Sequence, residues 1–390
     1  MSAPATVTRV RRVPEGEQVM VRAAVSRAVG APASIEELHL APPHRDEVRV
    51  AVAACAVCHS DLMFMDGGWA TAFPVVLGHE AAGRVVEVGT GVHDVTVGDR
   101  VVVSLIRTCG ECLACRRGHD VACTGNAEVD RRSPLTDLAG SPVAQGLGTG
   151  AFAEQVVVHR SQVVPIPTGV PAEAAALLGC GVLTGVGAVT NTARVDHGDA
   201  VVVIGCGGVG LSAVQGARMA GADPILAIDP LEAKQEAALR LGATHAVEPG
   251  DGNAAILERA TGGRLADHVF VTTAAPGAFV GVTGLLAPMG SLVLVGMPAH
   301  GVTVDIDPTA LAAANQAILG CKMGTARLAV DVPRLVDHYL GGRLDLNGMV
   351  TTTHSLDDIN SAFDEARSGE VIRTVIVFDD TDLGATGDTP

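Results

Sequence analysis

"VVVIGCGGVGLSAV", residues 201–214, decides the fold. Four apolar residues run into a glycine-dense turn, and the turn opens into a segment with helical apolar spacing. Gly205, Gly207 and Gly210 form G-x-G-x-x-G. Alone that pattern is weak, because a chain with 47 glycines produces it by chance. Its place between a strand and a helix gives it meaning. Gly205 permits the tight turn, Gly207 lets the backbone approach a pyrophosphate, and Gly210 lets the helix pack on the strand. Gly208 and Val209 belong to the same turn, at a helix N-terminus that favours phosphate charge. Asp229 ends the next strand, "PILAID", roughly twenty residues further on. Its carboxylate suits the adenosine ribose hydroxyls and repels a 2′-phosphate, so NAD is expected rather than NADP. The competing reading is a glycine-rich turn with no ligand.

Outward from this turn the chain alternates strand and helix. "LEAKQEAALRLGA" is a helix with apolar spacing of three and four, and "DHVFVTT" and "GSLVLVGM" are further strands. Such alternation implies a doubly wound parallel sheet over about 182–324. Residues 20–181 read differently. "EVRVAVAAC", "AAGRVVEVG", "DRVVVSL" and "AFAEQVVVH" are short Val-rich strands between Gly, Pro and Asp. After residue 325 the mixed pattern returns, with "ARLAVDVPRLVDHYLGGRL" helical and "VIRTVIVF" a final strand. Residues 1–19 read as a loose lead-in and "DDTDLGATGDTP" as a frayed tail.

The 390 residues suit two domains, and 48% hydrophobic content suits well-filled cores. A net charge of −16 argues against nucleic acid or an anionic membrane as partner. No apolar run is long enough to span a bilayer, and no signal peptide is legible, so the cytoplasm is expected. There thiols stay reduced, and clustered cysteines suggest metal rather than disulfides.

Four of the nine cysteines fall in "CGECLACRRGHDVAC": Cys109, Cys112, Cys115 and Cys123. One loop with this spacing can wrap four thiolates around a zinc, leaving no open position. A structural site is expected. An iron–sulfur cluster, a nucleic-acid zinc knuckle and plain free thiols are the alternatives. Cys58, His79 and Cys180 lie far apart, and each has an ordinary reading as a buried core residue. If they met, two thiolates and an imidazole would leave a fourth position for water or substrate.

"CHSD", "GHEAAG", "CGECLACRRGHDVAC", "GCGVLTGVGA" and "VIGCGGVG" occur in that order. Together they resemble the zinc-dependent medium-chain alcohol dehydrogenases over roughly residues 20–378, closest to the branch with glutathione- and mycothiol-dependent formaldehyde dehydrogenases. The resemblance implies an α/β fold, a Rossmann domain beside a β-rich GroES-like catalytic domain. It implies hydride transfer between an alcohol and NAD, with two zinc ions per chain. Cys58, His79 and Cys180 would hold the catalytic zinc, and the four-cysteine loop the structural one. Glu80 would lie behind the catalytic zinc, and Asp61 would orient His79. Ser60 would hydrogen-bond the substrate oxygen and start a proton relay. His59 and Arg373 would approach the pyrophosphate, and Lys234 the ribose beside Asp229. Some members end the relay on a histidine where this chain has Met63, so His59 or water is expected to take over.

Pocket positions of the family fall on Trp69, Leu105, Leu147 and Met297, which suits an uncharged alkyl or aryl primary alcohol. The arginine that grips a glutathione carboxylate is replaced near Ala127, although Arg131 and Arg132 follow closely. Thiol-adduct oxidation therefore stands as an alternative. A permanently bound cofactor is a second alternative, and a non-catalytic NAD- and zinc-binding sensor a third. The long segment after Cys123 resembles dimeric members, so a homodimer is expected. Cys55, Cys206 and Cys321 read as buried fillers, with Cys206 a candidate for reaction with thiol reagents.

Overall fold

The computed structural model describes residues 17–125 and 133–378. The lead-in up to residue 16, Ala127, Arg131, Arg132 and the tail from residue 379 lie outside the described residues.

The glycine turn sits in a six-stranded, wholly parallel sheet. From edge to edge its strands are His245–Val247, Ile225–Ile228, Val201–Ile204, Ala266–Val271, Leu286–Leu294 and Ala317–Gly320. In chain order this is 3-2-1-4-5-6, the dinucleotide-binding arrangement, whose order reverses beside Val201–Ile204. Val201–Ile204 is buried along its whole length, because helices cover both faces of a parallel sheet. Each such Val or Ile contributes about 1.5–3 kcal/mol by burial.

The turn leads into helix Gly208–Ala220, which Gly221 ends at φ 81. Gly205 has φ 92, a backbone that L side chains rarely adopt. At Gly210 a Cβ would lie 1.8 Å from the Gly205 carbonyl oxygen, so only hydrogen fits between strand and helix.

The remaining strands are antiparallel or mixed. Val19–Ser26, Ser34–Leu40, Leu135–Thr136, Pro142–Gln145 and Val75–Val76 close a small barrel. A second sheet runs Val163–Pro165, Arg100–Val103, Glu80–Val88, Glu47–Ala56, Arg373–Val377, Val350–Ser355, with Gln155–His159 also pairing with Glu47–Ala56. Strand Arg373–Val377 pairs with Glu47–Ala56, so the end of the chain is built into the sheet made by its beginning. That return places Arg373 next to the dinucleotide turn. Helix Leu328–Leu340 makes the passage back, its buried face formed by Leu328, Val332, Leu335 and Val336 at helical spacing.

Candidate active site

Three chain junctions converge. Cys58 precedes helix His59–Met65, His79 precedes strand Glu80–Val88, and Cys180 caps helix Gly181–Gly187. Ligand atoms of Cys58, His79, Glu80 and Cys180 lie within 4.8 Å of one another, and all four residues are buried. Asp61 stands behind them, fully buried. Its Oδ1 lies 3.1 Å from His79 Nδ1 and accepts the Gly78 N–H at 3.0 Å. Its Oδ2 accepts the Cys58 N–H at 3.1 Å. One carboxylate thus fixes two of the three junctions.

The donor set fits a metal ion. With Nδ1 held by Asp61, His79 Nε2 is buried and has no hydrogen-bond partner among the described residues. Such an orphan costs about 1–3 kcal/mol unless a ligand meets it. The Cys180 thiol hydrogen-bonds Cys58 and holds that thiol well below its usual pKa, while the same contact and burial push Cys180 up. A Cys58 thiolate in so dry a place, with a second sulfur beside it, fits a cation between them. Cys58, His79 and Cys180 supply two sulfurs and a nitrogen, as a zinc site with one open position does.

Glu80 and Arg373, expected separately, form one buried ion pair: Arg373 donates to Glu80 Oε2. Burial pushes the Glu80 carboxyl up to about 8 despite this partner, and its Oε1 is unpaired. The Arg373 side chain runs beside the turn, with its Cδ 2.4 Å from where a Cβ on Gly208 would sit. The pair therefore joins the metal-binding residues to the dinucleotide turn.

At the turn, a Cβ on Gly207 would meet no protein atom within 4 Å, which leaves room for a pyrophosphate. Asp229 is buried and accepts the N–H groups of Cys206 at 2.7 Å and Leu231 at 3.0 Å, which anchor it at the end of its strand. Lys234 is buried beside it, but its ammonium donates to the Val371 carbonyl. Cys206 is fully buried, and burial with the nearby Asp229 charge pushes its thiol up to about 12. That corrects the expectation of a reactive thiol, since reaction needs an accessible thiolate.

Ser60 is half-buried and His59 exposed on the first turn of helix His59–Met65. Met63 packs toward Gly68, where a Cβ would meet its Cε at 2.4 Å. Of the four pocket positions, Leu105 and Leu147 share a cavity of about 390 Å³ with Ile106, Arg107, Asp120 and Lys322. Trp69 and Met297 do not line it. Trp69 donates to the Pro298 carbonyl at 3.2 Å and sets its ring edge to Phe64 at 5.3 Å, and Met297 is exposed. No motif pointed to Met323, whose sulfur lies 3.4 Å from Cys180 Sγ and 3.7 Å from Thr184 Oγ1. It has no motif, and only its backbone at φ 49 marks it.

The four-cysteine loop forms the second cluster, its sulfurs also within 4.8 Å of one another. Cys109 lies 4.0 Å from Cys115 and 3.6 Å from Cys123, and Cys112 lies 4.0 Å from Cys123. Sulfurs held about 2.3 Å from one zinc stand at roughly these separations. Backbone N–H groups of Cys112, Cys115 and Cys109 donate to the sulfurs of Cys109, Cys112 and Cys123. The Cys115 N–H is the main cause that draws Cys112 down to about 5.

A dinucleotide fold, an open Cys-His-Cys set and a closed four-cysteine set together define a metal-dependent oxidoreductase. Residues 44–168 match the alcohol dehydrogenase GroES-like domain, and residues 208–339 the zinc-binding dehydrogenase domain. Alcohol dehydrogenase B of Mycobacterium tuberculosis is 39% identical over 370 residues, covering 90% of this chain and 96% of that protein. S-(hydroxymethyl)glutathione dehydrogenase of Escherichia coli is 38% identical over 369 residues, covering 92% and 99%. The crystal structure of benzyl alcohol dehydrogenase from Acinetobacter calcoaceticus is similar with TM-score 0.86 at 30% identity, covering 93% and 100%. The chain belongs to the zinc-dependent medium-chain alcohol dehydrogenase family, enzymes that use a nicotinamide cofactor.

Proposed function

We propose that this enzyme oxidises alkyl or aryl primary alcohols to aldehydes with NAD, and runs in reverse as a reductase. The observation that carries this reading is the buried Cys58, His79 and Cys180 set with its orphan Nε2, tied to the dinucleotide turn by Glu80 and Arg373. A bound zinc supplies Lewis acidity to the alcohol oxygen, and NAD supplies the hydride acceptor. The chain's own residues do the rest. Asp61 fixes the His79 ring so that Nε2 faces the thiols. The turn from Gly205 to Gly210, with Gly208 and Val209 at the helix start, takes the pyrophosphate. Asp229 takes the ribose hydroxyls and disfavours NADP. Lys234 braces that corner, and Arg373 adds positive charge at the phosphates. Ser60 accepts the alcohol proton. Met63 has no titratable group, so the exposed His59 passes that proton to solvent.

The test is NADH formation by zinc-replete protein with a panel of primary alcohols, beside formaldehyde with and without low-molecular-weight thiols. NADH from simple alcohols supports the reading. NADH only from formaldehyde with a thiol would move the enzyme to the adduct-oxidising activity that the S-(hydroxymethyl)glutathione dehydrogenase similarity favours. No NADH from any alcohol or adduct would overturn both.

A homodimer is part of this proposal. Val302, Val304 and Ile306 are exposed at alternate positions between strands Leu286–Leu294 and Ala317–Gly320, with Met289 and Val280 also exposed. An apolar alternating segment of this kind is ready to pair with a second copy. Val304→Lys should shift the mass in light scattering from dimer to monomer, and a wild-type monomer would refute the dimer. No described helix is long and apolar enough to cross a membrane. The nine cysteines form no disulfide, which favours the cytoplasm.

A further inference from the structure

We infer that Met323 is a positioning residue that registers the metal ligand Cys180 against the dinucleotide sheet, so that a bound NAD is felt at the metal. This rests on the dehydrogenase reading above and names a residue that serves it. Met323 is buried, and its sulfur reaches both Cys180 Sγ, at 3.4 Å, and Thr184 Oγ1, at 3.7 Å. It belongs neither to the Cys-His-Cys set nor to the glycine turn.

The backbone that delivers this side chain is costly. Met323, Gly324 and Thr325 stand at φ 49, 65 and 49, three left-handed residues in a row. Only glycine adopts that region freely, and a β-branched threonine there is a genuine outlier. Such a conformation persists where its surroundings over-determine it. Here they do. Thr325 Oγ1 lies 2.7 Å from Thr192 Oγ1, and the Gly324 carbonyl accepts from Asn191 Nδ2 at 3.2 Å. Thr192 Oγ1 also reaches Cys321 Sγ at 3.3 Å. A Cβ on Gly324 would lie 2.4 Å from the Leu183 carbonyl oxygen, so the turn presses on the helix backbone. Each of these partners belongs to helix Gly181–Gly187, which Cys180 caps, or to its continuation Ala188–Ala193.

The other end of the turn hangs from the dinucleotide sheet. Strand Ala317–Gly320 runs into it, and the Cys321 N–H donates to the Leu294 carbonyl at 2.9 Å. A sheet of this order divides into two mononucleotide halves, with the ligand at the carboxyl ends of its strands. The glycine turn and Asp229 belong to the first half. The nicotinamide then falls to the second half, strands Ala266–Val271, Leu286–Leu294 and Ala317–Gly320. Met323 follows the last of these at its carboxyl end. Helix Gly181–Gly187 also packs on the first half, since a Cβ on Gly185 would lie 2.2 Å from the Val209 carbonyl oxygen. Cys180 thus heads a helix held by both halves, and the Met323 thioether carries the second half's contact to its sulfur.

The experiment exchanges zinc for cobalt, whose thiolate absorption reports on the geometry at Cys58 and Cys180. Wild type, Met323→Ala and Met323→Leu are then titrated with NAD. The wild-type spectrum should shift as NAD binds. In Met323→Ala, metal content and NAD affinity by calorimetry should stay at the wild-type level, while the shift is lost. Leucine, of similar volume, should restore it. With a primary alcohol, kcat of Met323→Ala should fall about 10–100-fold with KM for NAD unchanged, as expected when reacting atoms are misplaced. The deuterium isotope effect on kcat should rise, because the hydride step is the one slowed. A merely structural role would lower the melting temperature and leave shift and isotope effect as in the wild type. That outcome, or a wild-type spectrum indifferent to bound NAD, would overturn the inference. If Met323→Ala does not fold, Thr192→Val frees Thr325 while keeping Met323. It should weaken the shift, and a full shift there overturns the inference. If no alcohol is oxidised, the dehydrogenase reading fails by itself and the cobalt titration alone decides the role of Met323.

Discussion

Asp61 shows how much one side chain can carry. Its two oxygens meet His79, Cys58 and Gly78, so it sets both the imidazole tautomer and the path of the chain into helix His59–Met65. Asp61→Asn keeps the volume but puts an amide donor against one of those N–H groups. Zinc affinity in chelator competition should fall about 10–100-fold, with NADH formation falling alongside. Unchanged affinity would show that the backbone alone holds the site. Gly210 makes the same point for the dinucleotide. Gly210→Ala places a Cβ against the Gly205 carbonyl, so the turn must open. NAD affinity by calorimetry should drop by tenfold or more, while zinc content stays at the wild-type level. Gly210 stood out through its glycine fingerprint, and Asp61 through the family resemblance of the run directly after Cys58. Glu80 with Arg373, and Met323 with Cys180, were not legible as contacts. Each is made between positions far apart in the chain, and nothing local records the meeting.

At the scale of elements, the four-cysteine loop has little else to hold it. Its helix, Leu113–Arg116, buries no residue, so sulfur and metal take the place of a core. Cys112→Ser should lower the zinc content by one equivalent and speed tryptic cleavage at the already exposed Arg116 and Arg117, while NAD binding by the separate parallel sheet persists. Cleavage no faster than in the wild type would mean that packing, not metal, secures the loop. Another short element depends on protonation. His159 caps the turn Arg160–Gln162, and its Nδ1 accepts the Ser161 N–H at 3.2 Å. Burial, helped by Arg107 and Arg160, holds its pKa below the usual 6.5. Between that depressed value and 6.5 the unfolded chain binds a proton that the folded chain refuses. Stability is therefore present above about 6.5 and lost as pH falls through the window, by at most about 1.4 kcal/mol per pH unit. Melting curves at pH 7.5 and 5.5 should show a larger loss for wild type than for His159→Gln. The parallel-sheet elements followed their strand–helix alternation closely, since helix Gly208–Ala220 stops at Gly221 where the glycine stands. The exposed 302–306 segment was not legible, because its apolar alternation forms no strand and pairs with none among the described residues.

For the whole molecule the decisive question is how the catalytic sheets and the dinucleotide sheet stay aligned around the site. Trp69 lies on the loop after helix His59–Met65, and its indole N–H reaches the Pro298 carbonyl, beyond strand Leu286–Leu294. The His300 N–H returns a 3.5 Å contact to the Gly68 carbonyl, so two backbone loops are strapped across the two units. The family resemblance put Trp69 at a pocket position, and an isolated aromatic gives no hint of which partner its N–H will find. Trp69 is the chain's one tryptophan, so its emission reports directly on the strap. Titration with NAD should change that emission, since the cofactor occupies the unit that carries Pro298. Trp69→Phe keeps an aromatic ring against Phe64 but deletes the donor. A lost neutral hydrogen bond is worth about 0.5–1.5 kcal/mol, so the KM for NAD should rise by roughly 2–10-fold. Amide exchange over 296–301 should quicken in the same variant, because the Pro298 carbonyl loses its tether. A variant with wild-type KM and wild-type exchange in that loop would show that the two units are aligned by Arg373 packed beside Gly208 and by the continuous core, not by the strap.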